Sequence, residues 1–216
     1  MKDIAIYGAG GFGKEVACLL NTINSVKPKW NLIGFFDDGI LKGDKNEFGI
    51  VLGGIEDLNA YDKPLAIVFS IGTPSIVETL VGKINNTNLN FPNIIASDLF
   101  LLDEPSFSIG KGNLIMVQSL ISYNVRIGDY NLLNCGVSLG HEVSMGSYNT
   151  MMSYVKISGA VKIGNANFFG VSSVVLQEIQ IGNYTTIGTN SVIMRKTKDH
   201  TTYLGNPASE ILKPKL

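Results

Sequence analysis

The feature that most constrains this chain is an apolar residue at every sixth position across its C-terminal half. The series is unbroken over fifteen steps: Ile109, Ile115, Ile121, Ile127, Leu133, Leu139, Met145, Met151, Ile157, Ile163, Phe169, Val175, Ile181, Ile187 and Ile193. With 45% apolar residues, such a run would arise by chance in about four of a hundred thousand trials. Four places after each step lies a small residue, a β-branched residue or Asn, and none of these is charged or aromatic.

A period of six fits neither a single helix nor a hairpin meander. It predicts a solenoid of short parallel strands, in which one large and one small side chain of each hexad point inward. Three hexads make one triangular coil, so the run predicts about five coils and a prism about 24 Å tall. Asn residues stacked at corners are expected to bond to each other and to the backbone. The Gly that often follows the stepping residue is expected to permit the turn.

The N-terminal third has a different pattern, beginning with "DIAIYGAGGFGKEVACLL". It predicts a strand, a glycine turn and a helix from about Lys14, and Gly8, Gly10 and Gly13 satisfy the spacing G-x-G-x-x-G. Glycines there let the backbone approach a phosphate at a helix N-terminus. A second strand, "NLIGFFDD", ends in Asp37 and Asp38, and a third, "LAIVFSIGT", precedes another helix. These elements predict a small Rossmann-like βαβ unit.

Composition excludes several classes of protein. The net charge is −1 and no basic run occurs, so nucleic acid is not an expected partner. The first apolar run breaks at glycine after a few residues, which predicts neither a signal peptide nor a membrane span. The two cysteines fit no metal spacing. We therefore expect a soluble, cytoplasmic protein.

Hexads of the form Ile-Gly-x-x-x-x resemble the left-handed β-helix of the hexapeptide-repeat acyltransferases. The segment "YLGNPASEI", 203–211, resembles the Gly-x-Pro-Ala exit of those chains, with Ser209 where a Lys is frequent. The resemblance implies a homotrimer that binds acyl-CoA in the groove between neighbouring prisms. The basic residues Arg195, Lys196 and Lys198 close the repeat and are expected to form a solvated face, with contact to CoA phosphates as the alternative.

A Rossmann-like unit, an apolar linker and then hexads follow one another in this chain. This order resembles a narrower family, the sialic acid O-acetyltransferase-like sugar acyltransferases, which include enzymes that N-acetylate UDP-4-amino sugars in bacterial glycan synthesis. The predicted fold is an α/β Rossmann-like unit followed by an all-β left-handed parallel β-helix. The predicted boundaries are 1–85 for the nucleotide-sugar-binding unit, 86–108 for a connecting segment, 109–198 for the β-helix and 199–216 for a tail. The resemblance places the nucleotide-linked sugar against Gly8, Gly10, Gly11, Phe12, Gly13, Asp37 and Asp38.

The stretch "SLGHEVSMG" holds one of the two histidines, next to a carboxylate. The resemblance maps the catalytic His-Glu pair of the family onto His141 and Glu142. An imidazole can take a proton from an attacking amine or hydroxyl at neutral pH. A neighbouring carboxylate can hold its tautomer and stabilise the imidazolium. The resemblance also places acetyl-CoA, the expected co-substrate, against Thr150, Gly159, Val171, Gly188 and Thr189, with the Gly159 N–H near the thioester.

The favoured function is transfer of acetyl from acetyl-CoA to the amino group of a UDP-linked amino sugar. O-acetylation of sialic acid, its CMP form or another sugar hydroxyl is the alternative within the class. A zinc lyase on the same prism would need three histidines, whereas the chain has His141 and His200, and no metal is expected. A non-catalytic sugar-nucleotide scaffold would not need the His-Glu pair, and an NAD oxidoreductase would need a second catalytic domain.

Overall fold

The computed structural model describes residues 1–211, and its N-terminal unit is a mostly parallel sheet with helices on both sides. In chain order its elements are β1 (Lys2–Tyr7), α1 (Gly11–Val26), β2 (Trp30–Phe36), β3 (Lys45–Asn46), β4 (Gly49–Gly53), α2 (Ile55–Asn59), β5 (Leu65–Phe69), α3 (Pro74–Lys83) and β6 (Leu89–Asn90). The helix predicted from Lys14 begins at Gly11 instead, because the Gly10 carbonyl already accepts the Lys14 N–H at 3.2 Å.

The strand order is β3-β4-β2-β1-β5-β6, with β1 parallel to both β2 and β5. Alternation along β1 divides its side chains between two apolar clusters. Ile4 and Ile6 pack with α1, whereas Ala5 and Tyr7 pack with α3. The chain leaves β1 towards β2 and returns on the other side at β5. The topological switch point, where such sheets bind ligands, therefore lies at the carboxyl ends of β1 and β5.

The remainder of the chain winds into a three-sided parallel β-helix. Face 1 consists of β7 (Ile94–Ile95), β10 (Leu114–Ile115), β13 (Leu132–Leu133), β16 (Thr150–Met151), β19 (Phe168–Phe169) and β22 (Thr186–Ile187). Face 2 consists of β8 (Phe100–Leu101), β11 (Leu120–Ile121), β14 (Ser138–Leu139), β17 (Lys156–Ile157), β20 (Val174–Val175) and β23 (Val192–Ile193). Face 3 consists of β9 (Ser108–Ile109), β12 (Arg126–Ile127), β15 (Ser144–Met145), β18 (Lys162–Ile163) and β21 (Gln180–Ile181).

The first coil begins at β7, inside the segment 86–108 that the hexads leave outside the repeat. Its strands pair in register with the next coil, as Leu114 does with Ile94. A 3-10 helix, Glu104–Ser106, interrupts this coil between faces 2 and 3. The C-terminal end is a hairpin of β24 (Thr202–Gly205) and β25 (Ala208–Ile211) that extends face 1.

The interior follows the predicted hexad pattern. The stepping residues from Ile115 to Ile193 are buried, and so are the small residues four places on. Among the latter, Asn113, Asn131, Asn149 and Asn167 form a buried ladder. Each Oδ1 accepts the backbone N–H of the residue eighteen positions later, at distances from 2.7 to 3.0 Å. The ladder supplies hydrogen-bond partners for backbone and side-chain polar groups that would otherwise be buried without any.

The expected role of glycine after the stepping residue is wrong. Positive φ angles, from 52° to 69°, occur instead two positions further on, at the third residue of each corner, and most of those residues are not glycine. The glycine is needed because successive coils approach closely. A Cβ on Gly128 would lie 2.7 Å from the Gly146 carbonyl oxygen, and one on Gly140 would lie 2.7 Å from the Gly159 nitrogen.

The Rossmann-like unit covers the outside of face 1. Ile94, Leu114 and Leu132 point outward from that face into the same apolar cluster as Ile4 and Trp30. This apolar contact holds the glycine turn beside the prism. None of the helices within residues 1–211 is long and apolar enough to cross a membrane.

Candidate active site

His141 and Glu142 lie at the corner between faces 2 and 3, which we call corner 2–3 (residues 122–125, 140–143, 158–161 and 176–179). Their side chains meet, with His141 Nδ1 3.2 Å from Glu142 Oε2. Adjacent residues can make this contact because Glu142 occupies the left-handed position of the corner, with φ of 61°. Both side chains are open to solvent, at 61% and 55% exposure. With a proton on Nδ1 shared with the carboxylate, Nε2 keeps its lone pair free.

Gly159 lies one coil beyond His141 at the same corner. A Cβ built on Gly159 would overlap Nε2 and Cε1 of the His141 ring, so the imidazole rests against this glycine. The Gly159 N–H has no hydrogen-bond acceptor within the described residues. At the corner between faces 3 and 1, by contrast, the N–H groups of Ser147 and Asn165 donate to the next coil's Asn Oδ1 at 2.8 and 2.9 Å.

The other predicted acetyl-CoA residues divide between two places. Val171, Gly188 and Thr189 lie together at the corner between faces 1 and 2, which we call corner 1–2 (residues 116–119, 134–137, 152–155, 170–173 and 188–191). Val171 is 37% exposed, and its carbonyl accepts the Asn190 N–H at 2.9 Å. Within one chain, this corner and His141 lie at opposite edges of face 2.

Thr150 lies on face 1, opposite corner 2–3. It is 2% exposed and lines a narrow gap between the prism and the Rossmann-like unit, beside Phe69, Ile71 and Tyr148. The chain by itself therefore does not bring Thr150 to His141.

Face 2 and its two corners carry much of the prism's exposed apolar surface. Phe100 and Leu120 point outward from face 2. Leu176 at corner 2–3, Tyr154 at corner 1–2 and Met194, directly after β23, are also exposed. Ser138 and Lys156 interrupt the apolar residues along the face. Face 3 is polar on its outer side, where its strands present Ser108, Arg126, Ser144, Lys162 and Gln180.

The glycine turn lies at the switch point of the Rossmann-like sheet, and its glycines have two kinds of surroundings. Gly8 has φ of 112° and a Cβ there would lie 2.5 Å from Ser70 Oγ, while a Cβ on Gly13 would overlap the Gly8 carbonyl. Both are required by the fold. Gly10 and Gly11 face open space, with no atom within 4 Å of a built Cβ. Phe12 is half-buried and packs against the apolar cluster that the Rossmann-like unit shares with face 1. The open glycines at the start of α1 suit a bound phosphate.

Asp37 and Asp38 have separate roles. Asp37 is half-buried and its carboxylate accepts the Ala9 N–H of the glycine turn at 2.8 Å, so the structure brings it to the predicted nucleotide site. Asp38 instead accepts the Tyr7 hydroxyl at 2.7 Å and the Ile55 N–H at the start of α2 at 2.8 Å. Burial, together with the hydrogen bond to Asp38, raises the pKa of the Tyr7 hydroxyl. Asp38 therefore links the carboxyl end of β1 to the start of α2.

The hairpin of β3 and β4 adds residues that the sequence patterns did not indicate. With the glycine turn it encloses a cavity of about 340 Å³, whose lining includes Ala9, Lys14 and Asn46. Lys14 on α1 pairs with Glu47 of the hairpin at 3.0 Å. The sequence signal that could have found this hairpin is the Asn46-to-Gly49 turn between two strands, where Asn46 Oδ1 accepts the Gly49 N–H at 3.2 Å.

The basic residues at the end of the repeat line a cavity of about 630 Å³ against the C-terminal hairpin. Lys198 pairs with Glu210 at 2.8 Å, which raises the pKa of the Lys198 ammonium. His200 stacks on Tyr184 with ring centroids 4.7 Å apart, far from the corner that holds His141. No group of three metal-ligating side chains occurs within residues 1–211.

Comparison with known proteins places these features in a family context. Residues 3–84 match the family model of the PglD N-terminal domain. The acetyltransferase domain of PglB from Neisseria gonorrhoeae, solved with acetyl coenzyme A, is 25% identical over 97% of this chain and 99% of that one, with a TM-score of 0.86. WeeI from Acinetobacter baumannii is 25% identical over 98% and 100%, with a TM-score of 0.87.

PerB from Caulobacter crescentus, solved with CoA and GDP-perosamine, is 21% identical over 98% of both chains, with a TM-score of 0.84. No curated protein sequence matches the chain. The predicted fold, a Rossmann-like unit followed by a left-handed parallel β-helix, is confirmed. The resemblance stated from the sequence is confirmed as well: the chain has the architecture and the enzyme class of the sugar acetyltransferases of bacterial glycan synthesis.

Proposed function

We propose that this protein transfers an acetyl group from acetyl-CoA to the amino group of a nucleotide-linked amino sugar, with UDP as the first nucleotide to test. The observation that carries the proposal is the His141–Glu142 contact at an open corner of the prism. The GDP-perosamine bound to PerB, which has the same fold, supports a nucleotide sugar as acceptor. The acetyl coenzyme A bound to the similar PglB domain supports the donor.

In the proposed reaction, the acceptor amine attacks the thioester carbonyl and Nε2 of His141 takes a proton from it. Glu142, on the other ring nitrogen, holds the tautomer and stabilises the imidazolium that forms. The carbonyl oxygen becomes negatively charged and the Gly159 N–H, which has no acceptor among residues 1–211, donates to it. Collapse of the tetrahedral intermediate breaks the C–S bond, and the proton on His141 returns to the departing CoA thiolate.

We propose that the active site is shared between subunits of a homotrimer. Turning face 2 inward around a threefold axis would bury its exposed apolar residues and leave the polar face 3 in water. The same arrangement would set corner 2–3 of one subunit beside corner 1–2 of the next. His141 and Gly159 would then face the pantetheine residues proposed from the resemblance, Val171, Gly188 and Thr189 of the partner subunit.

The nucleotide is proposed to bind at the glycine turn, with a phosphate over Gly10 and Gly11 and a ribose near Asp37. Lys14 and Asn46 of the adjoining cavity are further candidate contacts. Thr150 remains a proposed contact of acetyl-CoA. We propose the cytoplasm as the compartment, because the donor is a cytoplasmic metabolite.

CoA release should be measured with acetyl-CoA and a panel of acceptors: UDP-, GDP- and dTDP-linked amino sugars, sialic acid and CMP-sialic acid. We expect turnover with a nucleotide-linked amino sugar, and N-acetyl product by mass spectrometry. Turnover confined to a sialic acid hydroxyl would replace the proposal by the O-acetyltransferase alternative. Binding of the nucleotide sugars without any CoA release would favour a non-catalytic scaffold.

The shared site can be tested by mixing two defective chains. His141→Ala removes the base at corner 2–3, and Val171→Trp blocks the groove at corner 1–2, so each homotrimer should be inactive. In trimers co-folded from equal amounts, about a quarter of the grooves would join one intact corner of each kind. We expect about a quarter of the wild-type activity, and none from the two homotrimers mixed after folding. A co-folded mixture as inactive as its parents would contradict a groove shared between subunits.

A further inference from the structure

We propose that Gly159 is a positioning residue for His141: its missing side chain is the seat on which the imidazole rests. The inference rests on the proposed role of His141 as the base, and it adds to Gly159 a function separate from that of its N–H. The seat would fix the direction of Nε2, the atom that takes the proton.

The imidazole ring of His141 lies in contact with Gly159. A Cβ on Gly159 would overlap Nε2 and Cε1 of His141 and would lie 2.9 Å from Cδ2, so three ring atoms lie over the glycine. Gly159 is itself buried, whereas 61% of the His141 side chain is exposed. The glycine therefore supports the ring on one side, and the opposite side remains open to a substrate.

The backbone does not require glycine at this position. The φ of Gly159 lies outside the left-handed region, so another residue could adopt its conformation without strain. Two other rings rest on glycines of a neighbouring coil, Tyr130 on Gly112 and Tyr154 on Gly136. Both of those glycines have positive φ, of 68° and 69°, which by itself explains them. Gly159 lacks that explanation.

The position also tolerates side chains in other coils. The second residue of corner 2–3 is Tyr123 before His141 and Gln177 after Gly159. The position therefore lacks a side chain at Gly159, which the His141 ring contacts, and carries one in the other coils. We infer that the ring, rather than the packing of the coils, excludes a side chain at Gly159.

The seat and Glu142 together restrain a side chain that would otherwise rotate freely in water. Glu142 holds Nδ1 at 3.2 Å, and Gly159 limits the swing of the opposite edge of the ring. This places Nε2 beside the backbone of Gly159, whose N–H is proposed to hold the oxyanion. Proton acceptor and oxyanion donor thus come to one site before the substrate arrives, which lowers the entropic cost of reaching the transition state.

A double-mutant cycle tests this. Gly159→Ala should lower kcat at least about 10-fold in the wild-type background, because displacing the base forfeits part of the 10²–10⁴-fold that general-base catalysis contributes. In the His141→Ala background the same substitution should change kcat by less than about 3-fold, because the displaced ring is already gone. Gln177→Ala, at the same corner position one coil on, serves as the matched control and should leave kcat unchanged.

The ring can be observed directly, since the chain has two histidines. With labelled histidine, the His141 Cε1–H resonance should shift in Gly159→Ala while that of His200 stays in place. Equal losses of kcat from Gly159→Ala in both backgrounds, or an unmoved His141 resonance, would overturn the seat and leave the proposed function intact. A near-normal kcat in His141→Ala alone would instead refute the proposed role of His141 as the base, on which the seat depends.

Discussion

The buried Asn ladder should account for a large part of the stability of the prism, and Asn149→Ala tests this. Asn149 is fully buried. Its Nδ2 donates to the Gly164 carbonyl at 3.0 Å, and its Oδ1 accepts the Asn167 N–H at 3.0 Å and Asn167 Nδ2 at 2.9 Å. Truncation to alanine would leave these three groups without their partners inside the prism.

Each buried polar group left unpaired costs about 1–3 kcal/mol, so the free energy of unfolding should fall by at least about 3 kcal/mol. Asn165→Ala is the matched control, because Asn165 belongs to a parallel ladder on the exposed side of the same corner. Its Oδ1 accepts the Ser147 N–H at 2.8 Å, and water can replace that bond. Its loss should cost about 1 kcal/mol or less.

Both variants should be unfolded in urea at the same protein concentration, because dissociation of an oligomer is linked to unfolding. We expect the midpoint of Asn149→Ala to lie well below that of Asn165→Ala, or Asn149→Ala to fail to fold. Equal midpoints for the two variants would refute the reasoning that burial makes the ladder indispensable.

Three further perturbations have distinct expected results. Ser173→Ala should leave the thermal midpoint unchanged or raise it, because the buried Ser173 Oγ has no hydrogen-bond partner within the described residues; Ser191→Ala should lower it, since Ser191 Oγ accepts a backbone N–H of the C-terminal hairpin at 3.0 Å. Calorimetry should show that Gly10→Ala weakens nucleotide-sugar binding without loss of stability, whereas Gly13→Ala destabilises the fold before any ligand is added. Burial raises the pKa of the Tyr130 hydroxyl to about 12. This hydroxyl therefore ionises at lower pH in the unfolded chain than in the folded one, and the free energy of unfolding should fall between about pH 10 and 12. Tyr130→Phe should reduce that fall in alkaline unfolding experiments.

The hexad period predicted the interior of the prism because each coil repeats the same inward pair. It did not predict where the prism begins. Ile95 and Leu101 are six residues apart, but the next inward residue, Ile109, comes after eight, since the 3-10 helix Glu104–Ser106 adds two residues to that coil. This change of phase separates the first coil from the unbroken series, although its strands pair with the second coil like the others.

The candidate site could be predicted in part. The hexad period places His141 and Glu142 at a corner of the prism. Contact between their adjacent side chains depends on the positive φ of Glu142, which no spacing in the sequence reveals. The same limit applies to the acidic pair after β2. Which of Asp37 and Asp38 reaches the glycine turn depends on Tyr7 and α2, which take up the second carboxylate.

The kcat of His141→Ala tests the central claim most directly. It should be measured at saturating acetyl-CoA with the preferred nucleotide-linked amino sugar, on a variant shown to keep the wild-type oligomeric state. The account predicts a loss of about 10²–10⁴-fold in kcat, a KM for acetyl-CoA within a few-fold of wild type, and a smaller loss for Glu142→Ala. A His141→Ala enzyme with near-normal kcat would contradict the account, and the proton of the acceptor amine would then have to pass to water or to another group.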